Sequence, residues 1–336
     1  MATGTQYTDL SDLRTGLLNA VREATGVTAT NNIADRYLNV ALHDIHLDPG
    51  HNWPWAIRPA YLLTHAPYTT GTVSITAAAR TTVEGSSTLW NTAVTGMGFN
   101  NARAGGKMTF SGSTEVYEVS SVTDDDTLTL VNRWTGAALS AATYAYFEDE
   151  YALATDFLRP LDMRNFSTDA NIPFIGPMEF RRLAPRNSRR QKPQIATWFQ
   201  RPFSSSTTPQ YRVRLWPAPD DEYSIPYDYI TSYLAVSSAG AEQTQMTSTT
   251  DEPIIPLQFR HILVLHAAYN WYRDRKDDTR SAEVKAEYVD LMNRMAGTSL
   301  NIGADRPRIV ANYWKYFGGR RLGRYDSSTA FDELRD

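Results

Sequence analysis

The stretch from Tyr68 to Glu150 constrains this chain most, because it interrupts a helix-led sequence with short apolar alternations separated by turn residues. It opens with GTVSITAAARTTVEG, continues through KMTFSGSTEVYEVSSVTDDDTLTLV and closes with ATYAYFEDEYALATDFLRPLD. Val73/Ile75, Met108/Phe110 and Leu128/Leu130 keep the period-2 spacing of strands with one buried face. Asp124, Asp125 and Asp126 fall between two such runs. Asp favours turns, so they read as a hairpin loop; the ligand spacing of an EF-type calcium loop does not follow. The whole stretch reads as a small all-β module, barrel-like or sandwich-like, inserted into a larger domain as an extra docking surface.

The flanks are helical in pattern. Leu10, Leu13, Leu17 and Val21 fall at helical spacing, with Thr8 or Ser11 as cap and Gly26 as stop. A second helix is expected from Asn32, a capping type, to Leu47, where Asp48-Pro49-Gly50 ends it. HNWPWAIRPAYLL then reads as a packed Trp corner leading into a sheet. Residues 177–184 suit one short helix, and residues 194–200, 211–216 and 223–236 suit three strands. A helix within residues 251–277 carries Phe259, Leu263, Tyr269 and Trp271, and a second over residues 281–296 carries Tyr288; the polar link between them makes an antiparallel hairpin.

These elements give an α+β expectation. A helical-bundle core with a small β-sheet would span residues 1–66 and 151–298. The inserted all-β module would occupy residues 67–150, and an extended C-terminal arm residues 299–336.

Composition narrows the function classes. The 336 residues include no cysteine, so disulfides and thiolate metal sites are excluded. The N-terminus has neither a basic region nor an apolar run of signal-peptide type, and the apolar runs are too short for a membrane span. Residues 1–180 carry 10 Lys and Arg against 19 Asp and Glu, whereas residues 181–336 carry 23 against 18. Such asymmetry can orient a subunit in an assembly or face nucleic acid.

No catalytic constellation emerges. His43 and His46 share a helix face, yet no dedicated third ligand follows them. The glycines at 96, 98, 105 and 106 make no phosphate loop, and there is no nucleophile elbow. Glu148, Asp149 and Glu150 are sequence neighbours on a strand, so they point to alternate faces and read as a solvated edge rather than a hydrolase pair. No cofactor, metal or enzymatic activity is expected.

Two basic clusters remain. Arg181, Arg182, Arg186, Arg189 and Arg190, followed by Lys192, form a candidate basic patch. Arg306, Arg308, Arg320 and Arg321 alternate with Tyr313, Trp314, Tyr316 and Phe317 in a candidate docking arm. Basic residues interleaved with aromatics can track a nucleic-acid backbone. Arg and aromatics also anchor protein interfaces, and docking is the favoured reading of the arm.

The chain resembles head-to-tail adaptor proteins of tailed bacteriophages, also called head-completion or connector proteins. Four segments carry the resemblance: the paired N-terminal helices leading to HNWPWAIRPAYLL, the β module from GTVSIT to YFEDEYALATDFLR, the strand-turn unit YRVRLWPAPDDEYSIPYDYI, and the helix pair PIIPLQFRHILVLHAAYNWYRDRKDDTRSAEVKAEYVDLMNRM. It covers most of residues 8–296.

The resemblance implies a structural virion protein of the neck, assembled in the host cytoplasm as a twelve-subunit ring between portal and tail. Genomic double-stranded DNA would pass through the lumen without sequence-specific binding. Phe259, Leu263, Tyr269, Trp271 and Tyr288 would lie on the ring-building helices, because a helix apolar around much of its circumference needs several partners. The arm would reach the portal protein, and the β module would meet tail-nozzle or tail-fibre proteins. A tail-nozzle or tail-tube component is the nearest alternative. A glycan-binding tail protein, with Trp90 and Trp134 exposed in a groove, is another.

Overall fold

A computed structural model describes residues 7–48, 50–165, 170–184, 188–200 and 211–299. Helices α1 (Leu10–Ala20) and α2 (Thr28–His46) precede strand β1 (Ile57–Leu63). Seven short strands follow: β2 (Thr72–Ile75), β3 (Thr82–Ser86), β4 (Lys107–Phe110), β5 (Tyr117–Val122), β6 (Thr127–Leu130), β7 (Leu139–Ala142) and β8 (Tyr144–Phe147). Then come β9 (Glu150–Ala152), β10 (Phe157–Asn165), β11 (Ala170–Asn171) and helix α3 (Pro177–Leu183). Strands β12 (Ile195–Gln200), β13 (Tyr211–Trp216), β14 (Ser224–Thr231), β15 (Ala235–Val236), β16 (Glu242–Gln243) and β17 (Glu252–Pro253) lead to α4 (His261–Asp274) and α5 (Asp278–Ser299).

The chain is mostly β, which corrects the expected helical-bundle core with a small sheet. Among the described residues, 17 strands form four sheets, against five α-helices. The physical reason is strand length. Strands of two or three residues, such as β9, β11, β15, β16 and β17, are too short to show a period, whereas amphipathic helices of 11 to 22 residues leave a strong one.

Helices α1, α2, α4 and α5 form one layer on a four-stranded antiparallel sheet ordered β1-β14-β10-β11, while α3 packs on β12. Ile57, Leu158, Leu161 and Ile230 of that sheet pack with Leu13, Leu17, Leu38, Leu42 and Leu263. Leu62, Ile225, Tyr227 and Phe157 instead pack with Ala196, Val213 and Leu215 of a second sheet, ordered β12-β13-β9. A sheet buried on both faces needs apolar residues of both parities, and β14 supplies Tyr229 to one cluster and Ile230 to the other. The helical cover stops short of the end of β1, so Tyr61 (71% exposed) and Leu63 lie open.

Helix boundaries follow local chemistry. Asp9 caps α1 by accepting the Asp12 N–H at 2.9 Å. Helix α2 starts at Thr28, four residues before the expected cap Asn32, and has no side-chain cap. A bidentate Arg14–Asp35 pair at 2.6 Å ties it to α1. Helix α4 starts only at His261, because Pro253 sits in β17 and Pro256 precedes a 3₁₀ turn. The Trp corner is packed: Trp53 is buried, stacks between His51 and Trp55, and donates from Nε1 to the Ile45 carbonyl at 2.8 Å.

The region from Thr72 to Phe147 is one antiparallel sheet ordered β7-β2-β3-β6-β5-β4-β8. Its two edge strands are consecutive in sequence: β7 ends at Ala142 and β8 begins at Tyr144. The two edges therefore meet at that end, and the sheet must curl. The curl encloses Val73, Ile75, Val83, Trp90, Met108 and Tyr146. Asp124, Asp125 and Asp126 do form the β5–β6 hairpin loop, with the Asp124 carboxylate accepting the Asp126 N–H at 2.9 Å.

Candidate interaction surfaces

Glu148, Asp149 and Glu150 form the junction between the curled sheet and the rest of the chain, and they are not a solvated edge. Glu148 and Asp149 are both 3% exposed. Arg103 grips Glu148 through two bonds of 2.7 and 2.6 Å, and the Tyr146 hydroxyl donates to the same carboxylate at 2.6 Å. Lys107 Nζ lies 2.5 Å from both oxygens of Asp149 and 3.6 Å from Glu150. Arg214 of β13 donates to Glu150 from two nitrogens. Three carboxylates are thus matched by three cations, two from the curled sheet's side and one from β13.

Burial and pairing compete at this junction. Burial raises the Asp149 carboxyl above its usual value despite Lys107. At Glu150 burial also pushes upward, but Lys107 and Arg214 outweigh it and the net shift is downward. The entry strand is held alongside: Tyr68 and Tyr146 exchange two backbone bonds of 2.8 Å, and the Tyr151 hydroxyl accepts the His65 N–H at 3.2 Å.

The ring-interface candidates on the helices are largely consumed within the chain. Leu263 and Trp271 are buried, while Phe259 and Tyr288 pack partly against the same helical core. Helices α1, α2 and α5 all pack on α4, which accounts for its all-round apolar surface. Tyr269 lies between Arg273 and Lys285, each within 6 Å of its ring. The apolar residues left open on this helical layer include Ile33 and Val40 of α2, Leu47 just after it, and Val289 of α5.

The basic patch borders a cleft of about 810 Å³ between α3 and the β4–β5 turn. Arg181, Arg190 and Arg214 line it together with the hydroxyl-bearing Thr109, Ser113, Thr114 and Ser188. Its apolar floor is Val116, Phe180 and Ala184. Arg190 rests over the Phe147 ring at 5.5 Å and Arg214 over the Phe199 ring at 5.4 Å, which holds both guanidinium groups in place. Arg189 lies over Trp216, outside the lining. Arg182 is exposed and 3.7 Å from Glu179. Met178, beside them on α3, is 83% exposed.

No family model and no curated protein matches this chain.

The remaining expectations divide cleanly. Trp90 and Trp134 are buried in the curled sheet and spend their Nε1 protons on the Tyr144 hydroxyl and the Ala137 carbonyl, so they offer no stacking platform. His46 is buried with Nε2 on the Thr231 carbonyl at 2.6 Å, while His43 is exposed, so the two do not converge on a metal. Among the described residues, no group of three or more His, Asp or Glu is placed to hold a metal ion, and no helix is long and apolar enough to cross a membrane. Arg186 lies outside the described residues, as do Arg306, Arg308, Tyr313, Trp314, Tyr316, Phe317, Arg320 and Arg321.

Sequence reasoning missed Lys107 and Arg103 as partners of the acidic run, and Arg214 as part of the basic surface. The alternation Arg212-Val213-Arg214 held a usable signal, since it sets both arginines on the face opposite a buried Val213.

Proposed function

We propose that this protein is a structural component of a tailed-phage virion, joining the portal vertex to the tail as a ring around the DNA channel. The observation that carries the reading is the fixture of the curled sheet. Its exit connection is clamped by a buried, paired ion network and its entry connection by hydrogen bonds of Tyr68 and His65, which suits a rigid projecting contact module rather than a mobile lid. The four segments resembling adaptor proteins add to this, and so does the basic and aromatic composition of residues 306–325.

In this reading the protein performs no chemistry and acts by docking. It works in the virion neck after assembly in the host cytoplasm. The ring is of the twelve-subunit type, and DNA slides through it with weak, sequence-independent contact. Ring contacts fall to the outer surface of the helical layer rather than to α4, whose apolar side chains are already used. The arm meets the portal protein, and the curled sheet meets tail-nozzle or tail-fibre proteins.

Removal of residues 300–336 tests the docking role. The truncated protein is expected to fold, with an unchanged circular-dichroism spectrum, and to lose attachment to portal-bearing heads. Normal attachment would refute the arm's role.

A further inference from the structure

The cleft between α3 and the β4–β5 turn has a composition that selects its ligand. Arg181 and Arg190 have no carboxylate within ion-pair distance among the described residues, so the cleft carries uncompensated positive charge. Arg214 adds a third guanidinium, although Glu150 already neutralises it. The hydroxyl-bearing Thr109, Thr114 and Ser188 line the same cleft as further donors. Guanidinium and hydroxyl groups together are carboxylate- and phosphate-binding chemistry. The floor of Val116, Phe180 and Ala184 decides between these, because it is aliphatic or already buried and leaves no open ring for a base to stack on. An apolar floor under cationic walls fits a polypeptide that alternates apolar and acidic side chains.

The chain contains such a segment. Residues 326–336 read DSSTAFDELRD, placing Phe331 and Leu334 beside Asp326, Asp332, Glu333 and Asp336. The other acidic turns, 124–126 and 220–222, carry no large apolar residue within them. Residues 300–325 lie between α5 and this segment and span up to about 90 Å when extended, so reach does not limit docking within one chain or onto a neighbouring copy. They are themselves basic, with Arg306, Arg308, Lys315, Arg320, Arg321 and Arg324 and a single acid, Asp305.

We propose that the cleft receives residues 326–336 of this chain. Phe331 seats on the Val116–Phe180–Ala184 floor, and Asp332 and Glu333 meet Arg181 and Arg190. The proposal is independent of the connector reading, since it concerns only what fills the cleft.

The absence of cysteine allows a direct test in the full-length protein. Thr114→Cys on the cleft wall is paired with Ser328→Cys in the segment, and disulfide formation under diamide is followed on non-reducing gels. A control pairs Thr114→Cys with Ser238→Cys, which is exposed beyond β15. Docking predicts cross-linking at least about tenfold faster than in the control, because seating the segment raises its effective concentration. Arg181→Glu with Arg190→Glu should erase that gain. Arg181→Glu alone should reduce it, which serves if the double variant folds poorly. A band at monomer mass places the segment in its own cleft, and one at dimer mass places it in a neighbour's; both support the proposal. Cross-linking no faster than the control, or indifferent to charge reversal, would overturn it. The second result would point to another occupant, such as a phosphate backbone or a different acidic protein.

Discussion

Lys107 Nζ sits 2.5 Å from both carboxylate oxygens of Asp149, and both side chains are buried. One residue begins a strand of the curled sheet and the other follows that sheet's last strand. The pair therefore ties the start of β4 to the chain leaving the curled sheet, and removing one partner leaves the other's charge with no water to solvate it.

Lys107→Met is expected to destabilise the protein by about 3–5 kcal/mol, the usual cost of stranding one member of a buried pair. The double variant Lys107→Met with Asp149→Leu should recover much of that loss, because neither member of the pair is left stranded and Glu150 keeps Arg214. Urea unfolding of both variants measures it. A single variant within about 1 kcal/mol of wild type would mean that the junction is wet.

Leu263→Ala is expected to cost about 2–5 kcal/mol of folding stability, because Leu263 is fully enclosed by the chain's own helices. The effect should be independent of protein concentration. A loss that appears only in an oligomer would restore α4 to the ring interface.

Gly71 has φ +83°, and a Cβ there would lie 2.4 Å from the Ser86 carbonyl oxygen. Backbone, unlike a flexible side chain, gives way poorly. Gly71→Ala should therefore lower stability by at least about 1 kcal/mol, whereas Gly96→Ala should cost less, since its Cβ meets nothing within 4 Å. Equal losses at the two positions would remove the close approach of β2 and β3 as the cause.

Burial holds His46 and His266 below the ordinary histidine value; Asp44, 3.6 Å from His266, only partly opposes the shift. A depressed histidine favours folding above its unfolded value of 6.5 and loses that contribution as pH falls through the lower folded value. Stability should decline between about pH 7 and pH 5, and His46→Gln should flatten the decline. A urea midpoint constant over that range would contradict this. Glu150 adds a loss of the same sign at lower pH, while Asp149, shifted upward, works against it.

The legible parts of the fold were those with a local period. Leu10, Leu13 and Leu17 mark α1, and Val73/Ile75 mark β2, because neighbours along the chain share one buried face. The order of the seven strands was not legible, since pairings such as β3 with β6 join residues more than forty positions apart. Glu148, Asp149 and Glu150 read as solvated because a carboxylate run usually is. Their cations lie more than forty positions away at Arg103 and Lys107, and more than sixty away at Arg214. Helix α4 read as needing other subunits because its apolarity is visible in sequence while the three helices that cover it are not. In the cleft, Arg181 and Arg190 stood out, but the hydroxyls of Thr109 and Thr114 come from β4 and the turn after it and have no sequence signature.

The central claim, that this is a ring-forming neck protein, is tested most directly by electron microscopy of the purified full-length protein with portal-bearing heads. The account predicts rings with an axial channel, free in solution or assembled at the portal vertex. A monodisperse monomer that leaves every portal vertex bare would contradict it.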